Sequence, residues 1–340
     1  MAQNINWTTI THSMTPLLVT LPTHPGDIEQ SETLVKWIVE LGPVRDHSLL
    51  IGADSEIPQE RVKALMEIAR PAFHNVRAMS INVGVKGWPL AANLTFRAVA
   101  RQVYELCKLP WLLLEPDSIP LRADWLNMLA DEYSKSPKPF MGSLMDNESA
   151  AEGLPKKYLS AIGIYPQNAY VRLGELWKDA RFTGPVKPAK MGVAQFQSTV
   201  RAYDMIAAEF LVPRAQHTNL IHSHWGPDYN TPPLFVPQRT EASPPNAVTV
   251  DFIKKDAVLF HRVKAIEDFL ALWRVRMGFK EALAAETGKG LERTVITPEM
   301  VKELAATSSE LPKIESPAAP PKRRGNPNWQ KKQREPMAMI

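Results

Sequence analysis

The sequence predicts an α/β protein with a mostly parallel central sheet covered by helices. Short apolar runs alternate with segments of helical periodicity from residue 15 onward, which is typical of this class. Hydrophobic residues make up 44% of the 340 positions, enough for a substantial core. No apolar run is long enough to cross a bilayer, so we expect no contact with a membrane.

The strands are predicted from short apolar runs bounded by turn-forming or polar residues. Thr15–Leu21 is the first run, and Pro22 to Asp27 forms the loop after it. The later strands are predicted at Ser48–Gly52, Val76–Val83, Trp111–Leu114, Phe140–Leu144, Ser160–Tyr165 and Val258–His261. Residues 226–247 are rich in proline and lack periodicity, which indicates a long surface loop.

Helices are predicted where apolar residues recur at helical spacing. In the first helix these are Leu34, Ile38, Val39 and Leu41, with Ser31 as a candidate cap. The other helices are predicted from Pro58 to Ala69, at Asn93–Cys107, Asp124–Tyr133 and Gln195–Glu209, from Lys264 to about Ala285, and from Thr297.

The elements indicate one large domain over residues 15–270, with an extension at 1–14 before it. A helical segment at 271–307 follows. Residues 308–340 are rich in proline and charge, so we expect a disordered basic tail.

The net charge of +4 is concentrated in that tail. Residues 311–340 carry seven basic and two acidic side chains, or +5, which leaves the rest of the chain close to neutral. Basic side chains confined to a tail favour a tethered contact with a polyanion such as DNA, and Trp329 can stack on a base. A solubilising tail is the alternative.

Two further features concern the compartment. Cys107 is the only cysteine, so no internal disulfide can form, which fits a reducing cytoplasm. Residues 1–14 lack the basic start and apolar centre of an export signal. We therefore expect a cytoplasmic protein.

Two acids, Glu115 and Asp117, follow the strand predicted at Trp111–Leu114. The carboxyl ends of strands in open α/β sheets border the crevice where ligands bind. Carboxylate oxygens suit Mg²⁺ and Mn²⁺, which also bridge to substrate phosphates. The alternative is an acidic junction between strand and loop that is solvated by water.

The order of apolar strand, Glu-x-Asp, aliphatic residue and proline, followed by Asp124 and Trp125 at a helix start, resembles the metal-binding DxD region of GT-A glycosyltransferases. The resemblance covers roughly residues 15–270. It implies a Rossmann-like GT-A fold in which Glu115 and Asp117 hold Mn²⁺ or Mg²⁺ on the diphosphate of a nucleotide sugar. Glu115 replaces the first aspartate of the family, so Asp117 is the safer direct ligand.

The resemblance also implies roles for residues elsewhere in the chain. The expected nucleotide-binding residues besides Glu115 are Leu21, Pro22, Asp54, Lys86, Trp88, Asn93 and Lys264. His261 is the expected third metal ligand and Lys264 the expected partner of the diphosphate. Three of these residues have a structural alternative: Asp54 can form a turn, Trp88 can pack over one, and His261 can be a packed or capping histidine.

Asp204 lies where inverting members of that family place the general base, which must accept the proton of the acceptor hydroxyl. Glu209, Asp146 and Asp179 are spare candidates, and a retaining enzyme needs no such base. Separately, His217, His222 and His224 form a local cluster, but without cysteine partners a zinc site has little support. A polar lining of the acceptor pocket is the preferred interpretation for His222 and His224, and a chance occurrence for His217.

The resemblance implies a metal-dependent hexosyl- or pentosyltransferase that uses a nucleoside diphosphate sugar, with UDP-sugar as the favoured donor. The basic tail suggests that the acceptor is a hydroxylated base in DNA, as in a bacteriophage DNA-modifying enzyme located in the host cytoplasm. The alternatives are a sugar nucleotidyltransferase and a non-catalytic nucleic-acid-binding protein. The nucleotidyltransferase is disfavoured because Pro22 to Gly26 contains one glycine and no Lys or Arg.

Overall fold

The computed structural model of the chain describes residues 15–146, 154–183, 201–224 and 232–286, with the backbone alone at 279–286. The chain divides into two units, Met1–Ala282 and Leu283–Ile340. Every side-chain contact described below belongs to the first unit. The predicted extension at 1–14, the helix from Thr297 and the tail at 308–340 lie outside the described residues.

Strands and helices alternate over much of the described chain. The strands are β1 (Leu18–Thr23), β2 (Val44–Asp54), β3 (Phe73–Ile81), β4 (Trp111–Leu113), β5 (Ser118–Pro120), β6 (Phe140–Asp146), β7 (Lys157–Tyr165), β8 (Ala215–His217), β9 (Ile221–Ser223), β10 (Leu234–Phe235), β11 (Ala247–Val248) and β12 (Leu259–His261). The α-helices are α1 (Ile28–Leu41), α2 (Gln59–Ala69), α3 (Leu90–Leu106), α4 (Trp125–Lys135), α5 (Ala169–Arg172), α6 (Ala180–Thr183), α7 (Tyr203–Ile206), α8 (Ala208–Leu211) and α9 (Ile266–Glu286).

The central sheet has seven strands in the order β3-β2-β1-β4-β7-β6-β8. Strands β3, β2, β1 and β4 are parallel, and within this sheet β7 runs against its two neighbours. The chain passes from β1 to β2 on one side and returns to β4 on the other. This change of direction opens a crevice at the carboxyl ends of β1 and β4.

A second sheet, of order β5-β12-β9, continues from that crevice. Strand β5 follows β4 after a short loop, and β12 pairs with it in antiparallel fashion, with His261 opposite Ser118. The same strand β12 runs parallel to β9. A late segment of the chain is thereby brought beside the loop between β4 and β5.

Both faces of the central sheet are buried. Consecutive strand residues point to opposite faces, so Leu112 of β4 packs in the same core cluster as Leu34 of α1. Trp111 packs on the other side with Phe96 of α3. This double burial explains why the central strand β4 is a continuous apolar run rather than an alternating one.

The predicted α/β class is confirmed, with a mostly parallel, helix-covered sheet. Helix α1 begins at Ile28, before the predicted cap Ser31, whose buried hydroxyl instead lies 3.1 Å from that of Thr23. The segment predicted as the helix Gln195–Glu209 is described only from Arg201, where it forms the short helices α7 and α8. The predicted loop 226–247 contains β10 in its described part. Among the described helices, none could span a membrane.

Candidate metal centre and its cavity

The two acids lie where β4 of the central sheet gives way to β5 of the second sheet. Leu114 extends the pairing of β4 by donating its N–H to Thr20, and Ser118 donates its N–H to the carbonyl of Glu115. The turn places Asp117 almost fully inside, at 4% exposure, while the Glu115 side chain remains 35% exposed. The acids therefore differ in their freedom to move.

His261 reaches these acids because of the strand register. It is the last residue of β12, and its antiparallel partner Ser118 directly follows Asp117. The imidazole Nε2 lies 3.2 Å from a Glu115 oxygen and 3.4 Å from Oδ1 of Asp117. Ligand atoms of all three side chains lie within 4.8 Å of one another, and the described part of the chain contains no second group of this kind.

The backbone after His261 is fixed to the same loop. Arg262 has a φ of 90°, a left-handed conformation that is uncommon for a residue with a side chain. In this conformation the N–H groups of Arg262 and Val263 both donate to the carbonyl of Asp117, at 3.1 and 3.0 Å. Lys264 follows directly, and its Nζ lies 2.5 Å from Oδ2 of Asp117.

The site is strongly polarised. Burial opposes ionisation of Asp117, but the charges of His261 and Lys264 and the hydrogen bond from Lys264 outweigh it and hold the pKa of this carboxyl well below its usual value. Burial alone would lower the pKa of His261, yet Asp117 and Glu115 raise it to about 9. One carboxylate thus has two cationic neighbours near neutral pH.

The donor set fits a hard divalent cation. It offers carboxylate oxygens from two side chains and an imidazole nitrogen, and Oδ1 of Asp117 is buried without any hydrogen bond. Carboxylates suit Mg²⁺ and Mn²⁺, which complete their coordination with water or substrate oxygens. The three predicted metal residues therefore lie together in a chemically suitable arrangement.

A cavity of about 540 Å³ lies beside this group, at the carboxyl ends of β1, β2 and β4. Glu115, Asp117, Arg262 and Lys264 line one part of it. The other lining residues include Pro22, His24, Asp54, Glu56, Lys86, Trp88 and Tyr203. The predicted residues Pro22, Asp54, Lys86 and Trp88 thus share one cavity with the acids.

Several polar side chains lie at the rim of the cavity, away from the acids. Oδ2 of Asp54 lies 3.6 Å from His24, and Oδ1 accepts the N–H of Glu56 in a turn. Lys86 pairs with Glu56 at 2.7 Å. Trp88 is 65% exposed, so it does not pack as a cover over its turn.

Two residues expected to bind the nucleotide are placed elsewhere. Leu21 is fully buried in the core, because its position in β1 turns it away from the crevice. Asn93 is also fully buried: its amide donates to the carbonyls of Phe182 and Arg201, and its oxygen accepts the N–H of Tyr203. Both expectations are corrected here, since these side chains hold the scaffold rather than line the cavity.

Asp204 is buried at 4% exposure and is not among the residues that line the cavity. Burial, together with the nearby charge of Glu115, raises its pKa to about 7 despite a hydrogen bond from the Met205 N–H. Asp204 is therefore a buried acid with a perturbed pKa rather than an exposed helical one. Of the spare candidates, Asp146 and Glu209 are exposed, and Asp146 pairs with Lys157; Asp179 is half-buried and pairs with Arg181.

The histidine cluster does not assemble a metal group within the described residues. His217 accepts the N–H of Leu144, and His222 accepts that of Lys254. His222 and His224 both pack against Phe252, at ring distances of 5.3 and 4.3 Å. These contacts explain the cluster as local packing.

Sequence reasoning missed His24, Arg262 and Tyr203 as cavity residues. His24 follows β1 directly and belongs to the predicted loop from Pro22 to Asp27, so its position in that loop was a usable signal. Arg262 and Tyr203 carry no such signal, because their positions depend on pairing with distant segments.

No model of a known protein family matches the sequence, and comparison with curated proteins gives no match. Among solved structures, the fold is similar to the galactosyltransferase LgtC in complex with donor and acceptor sugar analogues (10% identity, TM-score 0.43, covering 76% of this chain and 96% of that one). It is also similar to the bifunctional glycosyltransferase WbbM (10% identity, TM-score 0.44, covering 76% and 47%). A third similar structure is the apo form of the glycosyltransferase GlyE of Streptococcus pneumoniae (11% identity, TM-score 0.39, covering 74% and 55%). These low-identity similarities concern the fold and assign no activity to this chain.

Proposed function

We propose that this protein is a metal-dependent glycosyltransferase of the GT-A type, which transfers a sugar from a nucleoside diphosphate sugar to an acceptor hydroxyl. One observation carries the proposal: Glu115, Asp117 and His261 converge beside Lys264 at the wall of a cavity of about 540 Å³. The volume is in the range of small-molecule sites. An acid pair, an imidazole and an ammonium group together suit a metal and a diphosphate.

Each residue then has a distinct task. Glu115, Asp117 and His261 would hold Mn²⁺ or Mg²⁺, and a cation bound there stabilises the charge of the departing diphosphate. Lys264 would offset the remaining phosphate charge. At the rim, Asp54 can accept hydrogen bonds from a base or ribose, and Trp88 exposes a ring that can stack on a base. We propose a UDP-sugar as the donor.

We propose Asp204 as the proton acceptor if the reaction inverts the anomeric configuration. A pKa of about 7 matches a general base that works near neutral pH. The acceptor hydroxyl must then approach a side chain that is 4% exposed. In a retaining reaction Asp204 has no such task.

The proposed acceptor is a hydroxylated base in DNA, as in bacteriophage DNA modification. The support is the +5 charge of residues 311–340 on an otherwise nearly neutral chain. Tethered cations bind phosphates without reading sequence. A base within a duplex would also have to be flipped out to reach the cavity.

The test of the proposed function is hydrolysis of a panel of nucleotide sugars with and without Mn²⁺. We expect Mn²⁺-dependent hydrolysis of one donor and a loss of about 100-fold or more in Asp117→Asn, because the cation supplies several kcal/mol. Glu115→Gln tests the same site at a more exposed position. Asp124→Asn is the matched control, since this nearby acid is exposed and pairs with Arg122.

Two results would contradict the proposal. One is the absence of metal-dependent turnover or nucleotide binding across the whole panel, which would favour a binding protein. The other is an Asp117→Asn variant as active as Asp124→Asn. Thermal unfolding of each variant checks that a loss of activity is not a loss of fold.

A further inference from the structure

Lys264 and a divalent cation would share one carboxylate. In this structure Oδ2 of Asp117 accepts a hydrogen bond from the Lys264 ammonium, while Oδ1 faces His261 without a hydrogen bond. A cation bound at Oδ1 would therefore be separated from the positive charge of Lys264 only by the Asp117 carboxylate. Their mutual repulsion weakens binding unless further negative charge is supplied.

The two partners of this ion pair differ in mobility. Asp117 is buried, and its carbonyl is held by the N–H groups of Arg262 and Val263. The Lys264 side chain is 56% exposed and lines the cavity. The ammonium can swing into the cavity on its flexible stem, whereas the carboxylate cannot follow.

We propose that Lys264 makes cation binding at Glu115, Asp117 and His261 depend on a diphosphate in the cavity. Without a diphosphate, the ammonium remains on Asp117 and opposes the incoming cation. With one, the ammonium transfers its hydrogen bond to a phosphate oxygen, and the phosphate charge attracts both cations. This inference rests on the proposed function and adds a binding order to it, in which metal and diphosphate enter together.

The proposal predicts that the loss of one site residue has the opposite of the usual effect on metal affinity. Removing a residue of the binding site should strengthen the binding of metal alone. A unit charge acting on a divalent ion across one carboxylate in a water-exposed site corresponds to roughly a tenfold change in affinity.

The experiment is calorimetric titration of the full chain with Mn²⁺ at one pH, first alone and then with saturating UDP. We expect Lys264→Met to bind Mn²⁺ alone about tenfold more tightly than the wild type. Lys264→Arg, which keeps the charge, should behave as the wild type does. Lys135→Met is the matched control: this exposed lysine pairs with Asp131 on α4 and does not line the cavity, so Mn²⁺ affinity should not change.

In the second titration, UDP should raise the Mn²⁺ affinity of the wild type more than that of Lys264→Met. Equal or weaker binding of Mn²⁺ alone by Lys264→Met would overturn the proposal, and so would an equal effect of UDP on both proteins. Both results leave the proposed function intact, since the wild type still binds the metal. A wild type that binds no Mn²⁺ with or without UDP would refute the metal site itself, and with it this proposal.

Discussion

Replacing Asn93 by aspartate tests the structural role that the fold gives this residue. Its amide donates hydrogen bonds to the carbonyls of Phe182 and Arg201, at 3.2 and 2.8 Å, and its oxygen accepts the N–H of Tyr203 at 2.9 Å. Tyr203 in turn stacks on Phe96 at 3.8 Å and lines the cavity. Asn93→Asp keeps the shape and the acceptor but removes both donors.

The expected cost follows from these contacts. Two buried carbonyls lose their donors and face a carboxylate, and each unsatisfied buried group costs roughly 1–3 kcal/mol. We therefore expect Asn93→Asp to lower the free energy of unfolding by about 4 kcal/mol at pH 7. Burial favours the neutral form of the introduced carboxyl, and protonation also restores one donor. Both effects raise the pKa of this carboxyl in the folded state. The loss of stability should then grow as the pH rises above about 4.

The assay is urea unfolding of Asn93→Asp and the wild type between pH 5 and 8. Asn127→Asp is the matched control, because the oxygen of Asn127 accepts a hydrogen bond whereas the amide of Asn93 donates two. Nδ1 of His47 accepts the N–H of Leu17, so Nε2 carries the proton and donates to the Asn127 oxygen. A carboxylate accepts that bond equally well, and we expect a change below about 1 kcal/mol. Equal stability of the two variants, or a pH-independent loss in Asn93→Asp, would refute the reasoning.

Three further predictions concern pH and the tail. Burial lowers the pKa of His47 from 6.5. The stabilising contribution of its neutral form is therefore complete above pH 6.5 and is lost as the pH falls. Between pH 7 and 5, the free energy of unfolding should fall less in His47→Gln than in the wild type. Asp204→Asn should lower kcat for sugar transfer about 100-fold or more. It should also remove the rising limb of the pH profile near 7 and leave the Mn²⁺ affinity unchanged. A rising limb that persists in Asp204→Asn would exclude Asp204 as the base. Deleting residues 311–340 should weaken DNA binding and flatten its dependence on salt; unchanged affinity would remove the support for a DNA acceptor.

Much of the sheet could be predicted because its signals are local. Strand β4 is an apolar run beginning at Trp111, and the acids that follow it mark a strand end at the change of sheet direction. Since parallel strands end at one edge, the proximity of Asp54 to that edge was also predictable. Face alternation assigns Leu21 to the core, so that error was avoidable.

The orientation of Asn93 could not be predicted from its neighbours. An asparagine in the first turn of a helix can face a ligand or the protein interior, and here the choice is made by carbonyls 89 and 108 residues away. Arg262 is a similar case, because its left-handed backbone conformation accompanies two hydrogen bonds to Asp117. Such contacts depend on tertiary pairing, which no local pattern encodes.

The pairing of β5 with β12 has a consequence for assembly during synthesis. The histidine of the metal group is encoded 146 residues after Glu115, on a strand that joins the second sheet. A nascent or truncated chain that stops before β12 carries both acids but lacks their imidazole partner and the neighbouring lysine. Ion binding at the proposed site would therefore report the completed fold, and a ligand that selects this state would add its binding energy to the stability of the β12 pairing.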